Sequence, residues 1–379
     1  MTIPTTREKI QSIIKEMKNV FFEMDEVIEG LWTSLLAEQN VFLIGPPGTA
    51  KSQIAKYISR AIGGKFFFKL FHKQLTVDEL FGPINILALK QGKFERVTKN
   101  TLLDADIAVL DEIWKGSSVI NNTLLVALNE KEFQDPDSGA FSKIPLKIAI
   151  GTSNEYPQGE ELGAIFDRWN VKYEVFYLQE SKNFKKLLNS QDVDPIPSLT
   201  ISIEDLEIEI KKAISLILPD NIVALLESLR RELEKQGIIN SPRRWKKAVR
   251  LIKAYAVLHN QKTIEEESIA FLENVLWNQP EQQSIVKSIL GKLINPLNQK
   301  ALETLDSAIE IFKKTESLGD NDPYLLEARQ KFASMRKSLN DLCDQAKKIS
   351  KSTLRIEEAQ QKIAGYQKQI VIRLTGESF

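Results

Sequence analysis

A short apolar run, Val41-Phe42-Leu43-Ile44, stops abruptly at Gly45-Pro46-Pro47-Gly48-Thr49-Ala50-Lys51-Ser52, and no other junction constrains the fold of this chain as strongly. The run reads as a buried strand ended by a turn. From Ser52 the apolar positions take helical spacing, until Gly63-Gly64 halts them. Strand, glycine loop and helix in that order begin a parallel α/β unit.

The loop nearly fits the Walker A spacing, G-x-x-x-x-G-K-S/T. In such a loop backbone N–H groups and the helix N-terminus point at phosphate oxygens. Lys51 would reach the β- and γ-phosphates and the Ser52 hydroxyl would bind Mg²⁺. Ala50 stands in place of the second glycine, where a methyl group is the smallest possible intrusion. The bland alternative is a strand-to-helix turn with a chance lysine.

Other segments carry matching chemistry. Ile107-Ala108-Val109-Leu110 runs into Asp111-Glu112, a Walker B arrangement. It places Asp111 beside Mg²⁺ and Glu112 where it can polarise a water. Alone, the pair could equally cap the next helix. Ile148-Ala149-Ile150 leads to Asn154, a candidate to hydrogen-bond the γ-phosphate or the water; a turn asparagine is its plain alternative. Phe166-Asp167-Arg168 precedes a strand, so Arg168 is either a subunit-edge arginine or a surface ion pair. Ser241-Pro242-Arg243-Arg244-Trp245-Lys246-Lys247 opens a helix with Ser241 as N-cap and Pro242 at N1. Arginines in a first turn oppose the helix dipole, which points to phosphate contact or to a solvated basic face.

Hydrophobic patterning organises the remainder. Residues 7–37 read as helix, and 66–70, 107–110, 147–150 and 172–176 as buried strands. Residues 82–97 read as a hairpin inserted between helices. A proline-containing break at 191–198 separates a core, 1–190, from a helical region, 191–280. Residues 204–278 read as all helix. Residues 281–379 form a helical third domain, with heptad spacing through Leu325, Ala328, Phe332, Met335, Leu339, Leu342, Ala346 and Ile349, resuming at Ile356, Ala359, Ile363, Tyr366 and Ile370. Whether the polar stretch 350–353 divides these into two helices stays open at this level.

Composition limits the function classes. Lys plus Arg and Asp plus Glu both number 51, which disfavours bulk nucleic acid or an anionic membrane as the main partner. The single cysteine, Cys343, rules out a disulfide framework within one chain and a cysteine-built zinc site. No apolar run approaches the ~18–20 residues of a membrane span, and the N-terminus does not lead into a signal-peptide core, so a cytoplasmic location is expected. His72 and His259 lack ligand spacing and read as solvent-facing or packing residues.

Taken together, these motifs, with Leu80-Phe81-Gly82-Pro83, Asn122-Thr123-Leu124-Leu125 and Asn129-Glu130, resemble the MoxR-type AAA+ ATPases, most closely their RavA branch, over residues 7–280. The resemblance implies a P-loop core with a parallel sheet, a helical lid, and ATP and Mg²⁺ as cofactors. It implies nucleotide contacts by Gly45, Pro46, Pro47, Gly48, Thr49, Ala50, Lys51, Ser52, Asp111 and Arg244, with Ser52 and Asp111 on the metal. Glu112, Asn154 (sensor 1), Arg168 (arginine finger) and Arg243 (sensor 2, with Arg244 a close second) would act in catalysis. Ala before Lys-Ser is a trait of that family. Residues 82–97 resemble its helix-2 insert, and 132–145 would be a second insert facing a ring pore. A finger acting in trans implies a homo-oligomer, by resemblance a hexameric ring. A von Willebrand factor A domain partner and a chaperone-like remodelling role are also implied. The lysine decarboxylase partner of RavA-like proteins is not carried over, because residues 281–379 leave no room for the β-rich domain that docks it. A nucleotide-gated scaffold with little turnover and a nucleic-acid translocase are the rival readings.

Overall fold

The structure, a computed structural model, describes residues 4–135, 139, 141–157, 166, 168–189, 194–316, 318–319, 322–348 and 353–375. Two compact units emerge: residues 1–224 with 238–280, and residues 225–237 with 281–379. The second unit thus takes in a segment that the sequence pattern assigns to the lid.

The first unit opens with α1 (Thr6–Val20), started by a capping box in which the Thr5 side chain and Glu8 satisfy each other's backbone N–H groups. The expected single helix over 7–37 is in fact two. Phe21 turns extended with its ring buried, Glu23 adopts φ 60°, and α2 (Asp25–Ala37) begins anew. Then follow β1 (Val41–Ile44), α3 (Lys51–Ala61), β2 (Phe66–Leu70), α4 (Val77–Phe81) and α5 (Ile86–Lys90). The hairpin expected at 82–97 is corrected here. Asn85 caps a short helix by accepting from the Leu87 and Ala88 N–H groups, so residues 86–90 coil instead of extending. Antiparallel pairing survives only at the base, where the Asn85 N–H donates to Glu95 O and the Val97 N–H to Pro83 O.

The chain continues through β3 (Ile107–Asp111), α6 (Ser118–Glu130), a two-stranded hairpin β4 (Glu132–Gln134) and β5 (Phe141–Lys143), β6 (Ile148–Ser153), β7 (Val171–Glu174) and α7 (Ser181–Leu188). Residues 136–138 and 140, within the expected second insert, lie outside the described residues, as does Asp167 of the Phe-Asp-Arg motif. Five strands make one parallel sheet in the order β2-β3-β6-β1-β7. Its central strands β1 and β6 are buried at every residue, which explains why they read as apolar runs without alternation. The register sets Leu110 beside Gly151 and Ile44 beside Ser153, so β1, β3 and β6 end side by side. The loop from Gly45 to Ser52 therefore emerges next to the acidic end of β3 and the polar end of β6.

Helices α8 (Ile203–Ser215), α9 (Asp220–Lys235) and α10 (Pro242–Leu258) follow, with α9 crossing the boundary between the units. Residues 266–274 form a 3₁₀ helix, not the α-helix expected from the all-helical reading of 204–278. In the second unit α11 (Gln282–Ile294) is followed by α12 (Pro296–Glu316), α13 (Pro323–Lys348) and α14 (Leu354–Thr375), and the last three share one apolar core. The heptad residues Leu325, Phe332, Leu339, Ile356 and Ile363 are buried in it, together with Cys343, so the heptad packs within the chain. The polar stretch lies between two helices; its residues 350–352 and the heptad position 349 lie outside the described residues. No strand occurs among the described residues of 281–379.

Candidate functional site

The loop after β1 is shaped by its backbone. A Cβ on Gly45 would stand 2.0 Å from the Val175 backbone oxygen, so only glycine lets the loop leave the sheet beside the extension of β7. Gly48 has φ +80° and opens onto free space. Ala50, at φ 61° and ψ 15°, is the N-cap of α3 and makes no side-chain cap. The pattern's second glycine is therefore asked for by backbone conformation; the methyl group is not the issue. Because no side chain caps α3, its first-turn N–H groups remain directed at the loop, the arrangement that binds anions.

Lys51 folds back over this loop. Its Nζ donates to Gly45 O (2.7 Å), Pro46 O (2.8 Å), Asn154 Oδ1 (3.1 Å) and Thr49 Oγ1 (3.3 Å). Burial pushes its ammonium below the ordinary lysine range, against the pull of the Glu112 and Asp111 carboxylates.

Asp111 ends β3, and the Ser52 hydroxyl donates to its Oδ2 at 2.9 Å while the Thr152 hydroxyl donates to its Oδ1. Thr152 was not among the candidate residues of the sequence. The signal for it is register: Leu110 pairs with Gly151, so the next residue of β6 comes beside the next residue of β3. Glu112 leaves the strand in the left-handed region, φ 56° and ψ 43°, which turns its carboxylate back toward the loop. That carboxylate accepts from Asn154 Nδ2 and lies 3.4 Å from Lys115 Nζ. Asn154 thus bridges Lys51 and Glu112.

Lys51, Ser52, Asp111, Glu112 and Asn154 line one cavity of about 440 Å³. A second cavity of about 930 Å³ adjoins it, sharing Gly48, Thr49, Ala50 and Gln53. The larger one is bounded by aromatic and aliphatic side chains of residues 20–24 and 176–188.

Three predicted residues line neither cavity. Arg168 lies at a turn just before β7, partly exposed. Arg243 is 60% exposed, with Glu130 at 3.8 Å. Arg244 is buried and donates to Asn240 Oδ1 at 3.0 Å and to Asn278 Oδ1, so it anchors the chain leaving the 3₁₀ helix. Of the two arginines, Arg243 is the solvent-facing one. His259 stacks on Tyr255 at 4.1 Å, and burial lowers its pKa, as a packing histidine requires. Among the described residues, no group of three or more His, Cys, Asp or Glu side chains is placed to hold a metal.

Residues 8–203 match the family model described as the MoxR domain in the MoxR-vWA-beta-propeller ternary systems. The chain belongs to the MoxR family of AAA+ ATPases. Residues 221–290 of this MoxR chain also match the AAA lid domain. Its sequence is 32% identical over 376 residues to the protein MJ0812 of Methanocaldococcus jannaschii, covering 97% of this chain and 100% of that one. Chaperone MoxR1 of Mycobacterium tuberculosis is 25% identical over 173 residues, 44% of each chain. A solved structure from Cytophaga hutchinsonii, 19% identical, superposes with a TM-score of 0.61 over 76% of this chain and 94% of that one, which shows the shared fold. The α/β AAA+ core, helical lid and helical C-terminal region expected of a MoxR protein are thus present. No helix among the described residues is long and apolar enough to cross a membrane.

Proposed function

We propose that this MoxR protein hydrolyses ATP with Mg²⁺ and uses the turnover to remodel or assemble a protein client. The convergence of Lys51, Ser52, Asp111, Glu112 and Asn154 on one cavity carries this reading. The residues suit the cofactor. Ser52 Oγ and Asp111 Oδ2, 2.9 Å apart, are hard oxygen donors of the kind Mg²⁺ takes, and Gly48 leaves the loop backbone open to phosphate oxygens. Bound Mg²⁺ neutralises charge on phosphate oxygens during transfer. Lys51 exchanges its loop carbonyls for the terminal phosphates, Thr152 holds Asp111 in place, and Glu112 takes the proton of the attacking water while Asn154 orients its carboxylate. The nucleoside occupies the larger cavity, since both cavities share the loop.

Arg168 is proposed as a finger reaching a neighbouring subunit's nucleotide, which requires a homo-oligomer; a hexameric ring is the family expectation. Arg243 is proposed as the sensor 2 arginine, on its exposure. A von Willebrand factor A domain partner is supported by the wording of the matched family model, which also speaks of a β-propeller protein. Placement in the RavA branch rests on motif resemblance alone, and the cytoplasm is the proposed compartment.

The test separates binding from turnover. Lys51→Ala should lose nucleotide binding. Glu112→Gln should keep it while phosphate release falls by roughly 10²–10⁴-fold, the usual contribution of a general base. Equal phosphate release by Glu112→Gln and wild type would reject the role of Glu112, and wild type that binds ATP without release would favour a nucleotide-gated scaffold.

A further inference from the structure

The wall of the larger cavity is oddly supported. Helix α7 has no buried residue; Phe184, Leu187 and Leu188, which line the cavity, are 52%, 47% and 69% exposed. An apolar face of this kind, with no core behind it, cannot hold its own position by burial. Polar ties hold it instead. The Glu23 carboxylate, from the loop between α1 and α2, accepts from the backbone N–H of Gln179 (2.7 Å) and of Glu180 (3.0 Å) and from the Asn183 side chain (3.0 Å). Glu180, the N-cap of α7, makes no side-chain cap of its own, and Glu23 instead fixes the backbone that leads into the helix together with the Asn183 side chain of its first turn. The Lys186 ammonium lies 5.7 Å from the Phe22 ring centroid, and Tyr177 Oη donates to Pro47 O at 3.3 Å, indexing the same wall to the phosphate loop.

We propose that Glu23 is a positioning residue for the nucleotide: it clasps the start of α7 so that Phe184, Leu187 and Leu188 close over the base and ribose. The proposal rests on the reading that the nucleoside occupies the larger cavity. Two features of Glu23 agree with such a task. The Gln179 N–H holds its carboxyl below the usual glutamate range, so the clasp is charged at neutral pH. Its own backbone, at φ 60°, sits in a region that a glutamate occupies only when its surroundings require it. The occupant is set by continuity: a ligand whose phosphates sit on the loop has its apolar, planar end directed at α7, and the ring completes the cover that the helix lacks.

The test compares ATP with inorganic tripolyphosphate, which has the phosphates and no base. In the full-length protein, Glu23→Ala should raise the KM for ATP about tenfold, equivalent to losing one good contact, and leave kcat within about twofold. The inhibition constant of tripolyphosphate should not move. Phe184→Ala, which removes the wall itself, should give the same signature. An unchanged KM in Glu23→Ala, or a parallel weakening of tripolyphosphate, would overturn the clasp. Wild-type protein inhibited by tripolyphosphate but showing no preference for ATP over it would instead overturn the nucleoside reading, and the clasp with it.

Discussion

At the scale of residues, the site is built from two departures from ordinary backbone. Ala50 and Glu112 both hold left-handed conformations, at a cost on the order of 1 kcal/mol each for a residue with a side chain. Both turns aim side chains at the same cavity: the first starts α3 at the loop after β1, the second swings a carboxylate out of β3. The Walker A spacing made Ala50 visible in the sequence, but only as a possible steric intrusion. Its real cost is conformational, and that predicts an order. Ala50→Gly should raise the unfolding free energy by roughly 0.5–1 kcal/mol, whereas Ala50→Val should lower it, since a β-branched side chain tolerates this region least. Urea denaturation measures both, and a valine variant as stable as the glycine one would refute the argument. Thr152 escaped the sequence reading because its role depends on which strand lies beside β3, and strand order is not local information.

At the scale of elements, the segment 82–97 is joined to α4 and to the end of β4. The Arg96 side chain, 3% exposed, reaches Asp78 in the first turn of α4 and Asp135 just after β4, both at 2.6 Å. Phe81 of α4 stacks on Phe133 of β4 with centroids 4.4 Å apart. Asp135 is itself nearly buried, so removing Arg96 would take a cationic partner from a carboxylate held away from water. Arg96→Met is expected to cost about 3 kcal/mol, and adding Asp135→Asn should recover part of it, because much of the penalty belongs to a buried carboxylate that has lost this cation. Thermal or urea unfolding of the single and double variants checks this; a double variant no better than Arg96→Met would refute it. The helix in place of a hairpin at 86–90 follows from one side chain. Asn85 supplies two N-terminal N–H groups with an acceptor, which settles a segment whose apolar run is too short to favour strand or helix by periodicity.

At the scale of the whole molecule, Arg168 does not line the cavity of its own chain, so the proposed finger would act from a neighbouring subunit, and mixing tests this. Arg168→Ala and Lys51→Ala variants should each be nearly inactive alone, and regain ATPase activity when co-assembled, because mixed rings contain sites with an intact loop from one subunit and an intact finger from another. Phosphate release after mixing, with co-assembly verified by native mass measurement, decides it; assembled but inactive mixtures would argue that Arg168 acts within its own chain. The division of the chain also belongs to this scale. Residues 225–237 read as part of the lid and fall within the matched lid domain, and they group with 281–379 as one compact unit. Leu229 and Leu233 carry an ordinary helical stripe, and a stripe shows that a face is buried without showing against what.

The sequence by itself determined the central strands, the glycine loop with Asp111, Glu112 and Asn154 as candidates for one site, which the structure brings to one cavity, and the heptad-patterned helices. Each of these is a local pattern whose physics is contained in a few consecutive residues: an apolar run, a turn, a cap, a period. Tertiary structure alone decided the break at Phe21, the pairing of Thr152 with Asp111, the burial of Arg244 against the exposure of Arg243, and the clasp of Glu23 on α7. These depend on contacts between residues far apart in the chain, and the energy of such a contact is set by geometry that no single segment carries.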